Sequence, residues 1–213
     1  YLDLMDYAWE QGLYMSASPW DRNAADTLFH IGVPFFKLAS AGITNMELVR
    51  HVAKMGKPVV LSTGMSDLAM VQEAVNTLKA GGVPQIALLA CTSKYPAPVE
   101  DLNLERINGL KREFPDCIVG YSGHEVGLWT TLCAVAVGAQ VVERHITLDR
   151  AMKGSDHAAS VEPKGIALLV REIRQFEKAR GTPEIRVLDC ELADMKRLRG
   201  DTYSPNGANR CAQ

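Results

Sequence analysis

The strongest constraint on this 213-residue chain is a repeated unit: a short β-rich run ending in small polar residues, followed by an amphipathic helix. The β-rich runs are "GLYMSAS" (12–18), "PFFKLAS" (34–40), "PVVLSTG" (58–64), "IALLACTS" (86–93), "IVGYS" (118–122) and "AQVVERHITL" (139–148). Between them, "NAADTLFHIG", "NMELVRHVAKMG", "DLAMVQEAVNTLKAGG", "NLERINGLKREF" and "VGLWTTLCAVAVG" carry helical spacing and often close on Gly. Strands alternating with helices predict a parallel sheet wrapped by helices.

An open doubly wound sheet and a (β/α)8 barrel both satisfy that alternation. Five of the six runs end in Ser, Thr or Gly, and the sixth leads into "HITLD". Polar residues at the end of strand after strand suit the rim of a barrel, whereas an open sheet gathers its ligand groups at one switch point. No G-x-G-x-x-G follows the first run, and no G-x-x-x-x-G-K-[ST] occurs. The expected fold class is α/β, a (β/α)8 TIM barrel lacking two strands.

After the last run, "PKGIALLVREIRQFEKARG" has apolar residues at 166, 169, 170, 173 and 176 and predicts a helix covering the last strand. Residues 1–181 are expected to form the partial barrel, and 182–213 a C-terminal extension with a mobile, turn-rich tail, "DTYSPNGANRCAQ". The opening "YLDLMDYAWEQGL" reads as an amphipathic helix entered partway along, with no signal-peptide pattern. A net charge of −2 without Lys/Arg clusters argues against nucleic-acid and membrane partners. The longest apolar stretch, 132–142, is broken by Gly138 and Gln140 and is too short to span a bilayer. Five cysteines, odd in number and without C-x-x-C, suggest reduced thiols in a cytoplasmic protein rather than disulfides or a zinc site.

In "QVVERHITL", alternation sets Val141, Glu143, His145 and Thr147 on one face and Val142, Arg144, Ile146 and Leu148 on the other. The mostly aliphatic second set suits the face beneath the helices, so Glu143 and His145 would point into the barrel. Buried polar groups need partners. A metal shared with His124 is one solution; two unrelated histidines, one bonded to Glu143 and one solvated, fit the spacing equally well. "GYSGH" (120–124) is not a nucleophile elbow, because G-x-S-x-G requires Gly where His124 stands. Lys37, in an otherwise apolar strand, is either structurally paired or serves an anionic substrate or Schiff base. The hydroxyls of Ser18, Ser40, Ser62, Thr63, Thr92, Ser93 and Ser122 recur at strand ends. With Lys37 they would cradle a phosphate or carboxylate, though each alone reads first as a helix N-cap. "GSDHAAS" (154–160) predicts a flexible loop holding Asp156 and His157; His30 and His51 read as helix-surface residues.

These residues together resemble the N-acetylneuraminate (sialic acid) synthase family, from about Gly12 to Gly181. The resemblance rests on "VPFFK", "GKPVVLSTGMS", "CTSKYPAPVEDLNL", "VGYSGHEVGL" and "VERHITLDRAMKGSDHAASVEP", in that order. It implies a (β/α)8 barrel whose first two strands precede this sequence, with an active site at the C-terminal face. It implies a divalent metal, Mn2+ with Mg2+ or Co2+ as substitutes, on His124 and His145. It implies phosphoenolpyruvate on Ser18, Lys37, Ser40, Ser62, Ser93 and Ser122, and an aldose such as N-acetylmannosamine on Tyr95 and Asp156. Lys37, His124, His145 and Asp156 would be catalytic, and the reaction a metal-assisted, aldol-type condensation giving a 3-deoxy-2-keto acid. Homodimers are common in the family.

The sequence departs from the family in reading "ASAG", with Gly42, where many members have an acidic residue, and it is expected to be a barrel-only relative without the antifreeze-like domain. "ELADMKRLRG" resembles the end of barrel-only relatives. The alternatives are a synthase for another nonulosonate (legionaminate, pseudaminate or the deaminated sialate KDN) and a truncated, catalytically incomplete barrel.

Overall fold

A computed structural model describes residues 1–199. Five strands, β1 (Phe36–Leu38), β2 (Val59–Ser62), β3 (Ile86–Cys91), β4 (Ile118–Gly123) and β5 (Val142–Arg144), form one sheet. Every pairing is parallel, and the spatial order is the chain order, β1-β2-β3-β4-β5. A doubly wound sheet reverses its winding at a switch point, and this one does not. The sheet curls as half of a barrel, bringing Lys37 on β1 within 3.4 Å of Glu143 on β5.

Helices α2 (Arg22–His30), α3 (Met46–Ala53), α4 (Leu68–Ala80), α5 (Arg106–Glu113) and α6 (Trp129–Val137) form where the apolar spacing predicts them. Three begin at side-chain caps: Asp21, Asn45 and Asp67 each accept from a backbone N–H of the first turn. None of the strand-end hydroxyls is such a cap, which removes the simplest structural explanation for them.

Alternation along the strands sorts the side chains. Phe36, Leu38, Val59, Leu61, Leu88, Ala90, Val119 and Tyr121 pack in one buried core with Leu48, Val49, Val52, Val75, Leu78, Ile107 and Phe114 of the helices and the α5–β4 connection. The opposite, concave face carries Lys37, Val60, Ser62, Leu89, Cys91, Ser122 and Glu143. Part of it, lined by Val60, Leu89 and Val141 among others, is an open trough of about 440 Å³.

Three expectations are corrected. Residues 12–18 form no strand: the chain leaves α1 (Leu2–Glu10) through a turn and runs beside β1, held by a bond from Ser16 Oγ to the Phe35 carbonyl rather than by a backbone ladder. Ile146 and Leu148 do turn away from buried Thr147, but they are 72 % and 84 % exposed rather than covered by helices. Arg144 does occupy the outer face, but as half of a buried ion pair, not as part of an aliphatic set.

Helix α1 buries none of its residues. Helix α7 (Pro163–Ala179) follows the last strand as expected, with Leu169 its one buried residue. The chain divides into compact units at 1–176 and 177–213. In the second, the described residues include a short turn, Asp189–Glu191, and α8 (Leu192–Arg199). The tail expected to be mobile, 201–213, lies outside the described residues. Among the described residues no helix is long and apolar enough to cross a membrane.

Candidate active site

The carboxyl ends of the strands and the segments that follow them surround a cleft of about 560 Å³. All ten residues to which the family resemblance assigns a site role line it: Ser18, Lys37, Ser40, Ser62, Ser93, Tyr95, Ser122, His124, His145 and Asp156. Thr63 and Thr92 do not. Thr63 Oγ1 donates to the Leu89 carbonyl and Thr92 Oγ1 to that of Asp101, so both hydroxyls brace backbone. His51 pairs with Asp26 at 2.7 Å and His30 bonds the Asp26 carbonyl, which makes both structural. His157 meets Thr147 Oγ1 at 2.7 Å and braces the loop that carries Asp156.

One side of the cleft suits an anion. Lys37 Nζ donates to Ser62 Oγ (2.9 Å) and lies 3.4 Å from Glu143 Oε2, while Ser122 Oγ donates to Glu143 Oε1 (2.8 Å). Gly64 N–H donates to Ser40 Oγ at 3.0 Å. A Cβ at Gly64 would collide with Ser93 Oγ and stand 2.9 Å from Ser40 Oγ and 3.0 Å from Cys91 Sγ, so glycine keeps this end open.

The other side holds the imidazoles. His124, on the residue after β4, and His145, on the residue after β5, stand edge to face with ring centres 5.1 Å apart. Tyr95 covers both, its ring centre 4.1 Å from that of His124 and 5.7 Å from that of His145. His124 Nδ1 is 2.9 Å from the Thr92 carbonyl oxygen, which can only accept. Nδ1 therefore carries the proton in the neutral ring and Nε2 keeps its lone pair. Asp156 Oδ2 approaches His145 Nδ1 at 3.5 Å.

The two rings differ electrostatically. Burial disfavours the His124 cation, but the Cys91 thiol and the Thr92 carbonyl outweigh it and raise the pKa above its ordinary value. Burial and the neighbouring His124 hold His145 below its ordinary value, against the pull of Asp156 and Glu143. Burial raises the Cys91 thiol, yet His124 and Ser40 bring it to a net lowering.

Two cleft residues differ from the sequence reading. Glu143, expected on the inward face with a metal or a histidine as its partner, joins Lys37 to Ser122. Cys91 was counted only among the thiols. It faces the cleft 3.5 Å from Ser40 Oγ and 3.9 Å from His124 Nδ1. Counting two residues on from inward-facing Leu89 would have found it.

Among the described residues no three His, Cys, Asp or Glu side chains converge as a ready-made metal cage. The donor chemistry nevertheless fits an ion with open positions. Two imidazoles bound at about 2.1 Å to one ion at near-tetrahedral or right angles have ring centres about 4.5–5.5 Å apart, and 5.1 Å falls within that range. The Thr92 carbonyl, bonded to His124 Nδ1, and the Asp156 carboxylate, 3.5 Å from His145 Nδ1, stand where the outer partners of metal-bound imidazoles would stand.

Residues 1–184 match the model of the NeuB family. The N-acetylneuraminate-9-phosphate synthase of Mus musculus is 43 % identical over 198 residues, 93 % of this chain and 55 % of that protein. The N,N'-diacetyllegionaminic acid synthase of Campylobacter jejuni is 41 % identical over 181 residues, 84 % of this chain and 54 % of that one. The chain thus spans about half the length of these curated relatives. A crystal structure of N-acetylneuraminic acid synthetase from Leptospira borgpetersenii, in complex with citrate, superposes with a TM-score of 0.84 at 32 % identity, covering 95 % of this chain and 70 % of that one. The curled parallel sheet, the cleft at its carboxyl end and these matches lead to one conclusion: the chain belongs to the NeuB family.

Proposed function

We propose that this chain carries the barrel part of a synthase that condenses phosphoenolpyruvate with an aldose such as N-acetylmannosamine, giving a sialic-acid-type 3-deoxy-2-keto acid. The observation that carries the reading is the cleft's division into two halves. Lys37 with its serines suits a phosphate and a carboxylate; Tyr95, Asp156 and two imidazoles suit a polyhydroxylated aldehyde. Relatives named for N-acetylneuraminate-9-phosphate and N,N'-diacetyllegionaminic acid support the product class. The same reading takes the five strands as part of a (β/α)8 barrel of which this chain lacks the first two strands, and the open trough along the concave face is in keeping with it.

In this reading C3 of phosphoenolpyruvate bonds to the aldehyde carbon, and the aldehyde oxygen takes up a proton. Water adds at C2, and the C2–O bond to phosphate breaks, leaving the 2-keto group. Lys37, Ser40, Ser62, Ser93, Ser122 and Ser18 hold the anionic substrate, and the Lys37 ammonium stabilises charge on the departing phosphate. Glu143 accepts from Ser122 and is placed to orient the incoming water. Asp156 and Tyr95 hold the sugar and orient its aldehyde. His124 and His145 hold a divalent cation, Mn2+ first among candidates, which when bound supplies Lewis-acid polarisation of the aldehyde oxygen.

The test is phosphate release by this chain with phosphoenolpyruvate, Mn2+ and a panel of N-acetylmannosamine, its 6-phosphate and diacetylated analogues. Phosphate and 2-keto acid should appear one to one, only when a productive sugar is present, and His145→Ala should slow the reaction by roughly 100-fold or more. Phosphate release independent of sugar, or an unaffected His145→Ala rate, would refute the reading. Binding of both substrates without turnover would favour a catalytically incomplete barrel.

A further inference from the structure

Each cleft imidazole has a charged sequence neighbour that turns to the opposite side of the sheet: Glu125 beside His124, and Arg144 beside His145. These two meet there, Arg144 Nη1 3.1 Å from Glu125 Oε1, with side chains 2 % and 0 % exposed. The Glu125 carboxylate also accepts from Tyr121 OH (2.8 Å), Thr130 Oγ1 (2.8 Å) and Thr131 Oγ1 (2.7 Å). Arg144 donates to Thr131 Oγ1 (2.7 Å) and to the carbonyls of Glu125 (2.7 Å), Gly127 (3.0 Å) and Ala159 (3.4 Å). The anchors thus lie on β4, on the loop after it, on α6 and on the loop that carries Asp156.

Backbone pairing between β4 and β5 ends one residue short of both imidazoles. Its register pairs are Tyr121↔Val142, Ser122↔Glu143 and Gly123↔Arg144. Where the ladder stops, the side-chain pair takes over. Gly123 makes room for it: a Cβ there would stand 2.6 Å from Glu125 Oε2, 2.6 Å from Tyr121 Cε1 and 3.0 Å from Arg144 Cδ.

We infer that Glu125 and Arg144 are positioning residues whose buried pair sets the separation of His124 and His145. An apolar filling would keep the strands packed, but the planar guanidinium fork fixes direction as well as distance. The inference rests on the reading that the two imidazoles act together, so its test reads their geometry without metal or turnover.

Histidine-selective 13C labelling of the metal-free chain should give a nuclear Overhauser contact between the rings of residues 124 and 145. In Arg144→Lys, and in the isosteric Thr131→Val, that contact should weaken at least twofold and both ring signals should move. Those of His30 and His51, on α2 and α3, should stay. Mn2+ affinity, read by electron paramagnetic resonance, should fall at least tenfold in the same variants. Should Arg144→Lys not fold, Thr131→Val carries the measurement. A lowered melting temperature with unchanged ring contact and unchanged Mn2+ affinity would overturn the inference. A wild-type chain that binds no Mn2+ would count against the metal reading alone, and the ring contact would still decide this one.

Discussion

Lys37 and Glu143 stand on the first and last strands of the sheet, and their Nζ and Oε2 lie 3.4 Å apart. Strands spaced about 4.8 Å apart would hold the outer members of a flat five-stranded sheet about 19 Å from each other. The gap closes because the sheet curls and both side chains face its concave side. The curl brings a cation from one edge and an anion from the other to the middle of the cleft, where Ser62 and Ser122 complete the set.

Replacing Lys37 with Met removes the ammonium and leaves Glu143 facing the proposed anionic substrate with Ser122 as its remaining described partner. Phosphoenolpyruvate affinity, measured by calorimetry, should fall roughly 100-fold. The urea midpoint should move little, because Glu143 is partly exposed and the pair is screened by solvent.

Gly64→Ala puts a methyl group among the hydroxyls of Ser40 and Ser93 and the Cys91 thiol. Those neighbours are side chains that can rotate, so the variant should fold. KM for phosphoenolpyruvate should rise by about tenfold, on the scale of the 1–3 kcal/mol that overpacking costs. KM for the sugar should hold, since the proposed reading seats it in the other half of the cleft. Equal rises in both would contradict the division.

Glu125 sets a pH limit. Burial opposes its charge, but Arg144, Thr131 and Tyr121 outweigh burial and lower its pKa below the ordinary 4.5. A carboxylate depressed on folding contributes stability that is complete above the unfolded value and lost as pH falls through the folded one. Urea midpoints should therefore drop as pH falls below 4.5. The drop should be shallower in Glu125→Gln, which is less stable at pH 7 for want of the ion pair. Parallel profiles for the two proteins would contradict this.

Asp67→Ala separates stability from function. Asp67 Oδ1 accepts from Met70 N at 2.9 Å and caps α4, remote in role from the cleft. Its loss should cost about 1 kcal/mol in urea unfolding, with Mn2+ and phosphoenolpyruvate affinities unchanged.

Much of this was legible in the sequence, for physical reasons that also mark where legibility ends. Period-two alternation put Glu143 inward and Arg144 outward because side chains in a strand must alternate. It continues through exposed Ile146, buried Thr147 and exposed Leu148, but alternation names a face and not what packs on it, so the expected helix cover over Ile146 and Leu148 is not found. Residues 12–18 have strand composition, but a strand is made by a partner, and that segment has none along its backbone in this structure. The pairing of Glu125 with Arg144 was invisible: a glutamate in "GHEV" reads as a loop residue until β5 is placed beside it.

A cation site shared by His124 and His145 is what the proposed chemistry requires, and titration of Mn2+ by electron paramagnetic resonance tests it most directly. The chain should bind one Mn2+; His124→Ala and His145→Ala should each abolish binding, and His157→Ala, which alters a loop brace outside the cleft lining, should leave one ion bound. Undiminished binding in His124→Ala or His145→Ala would contradict it.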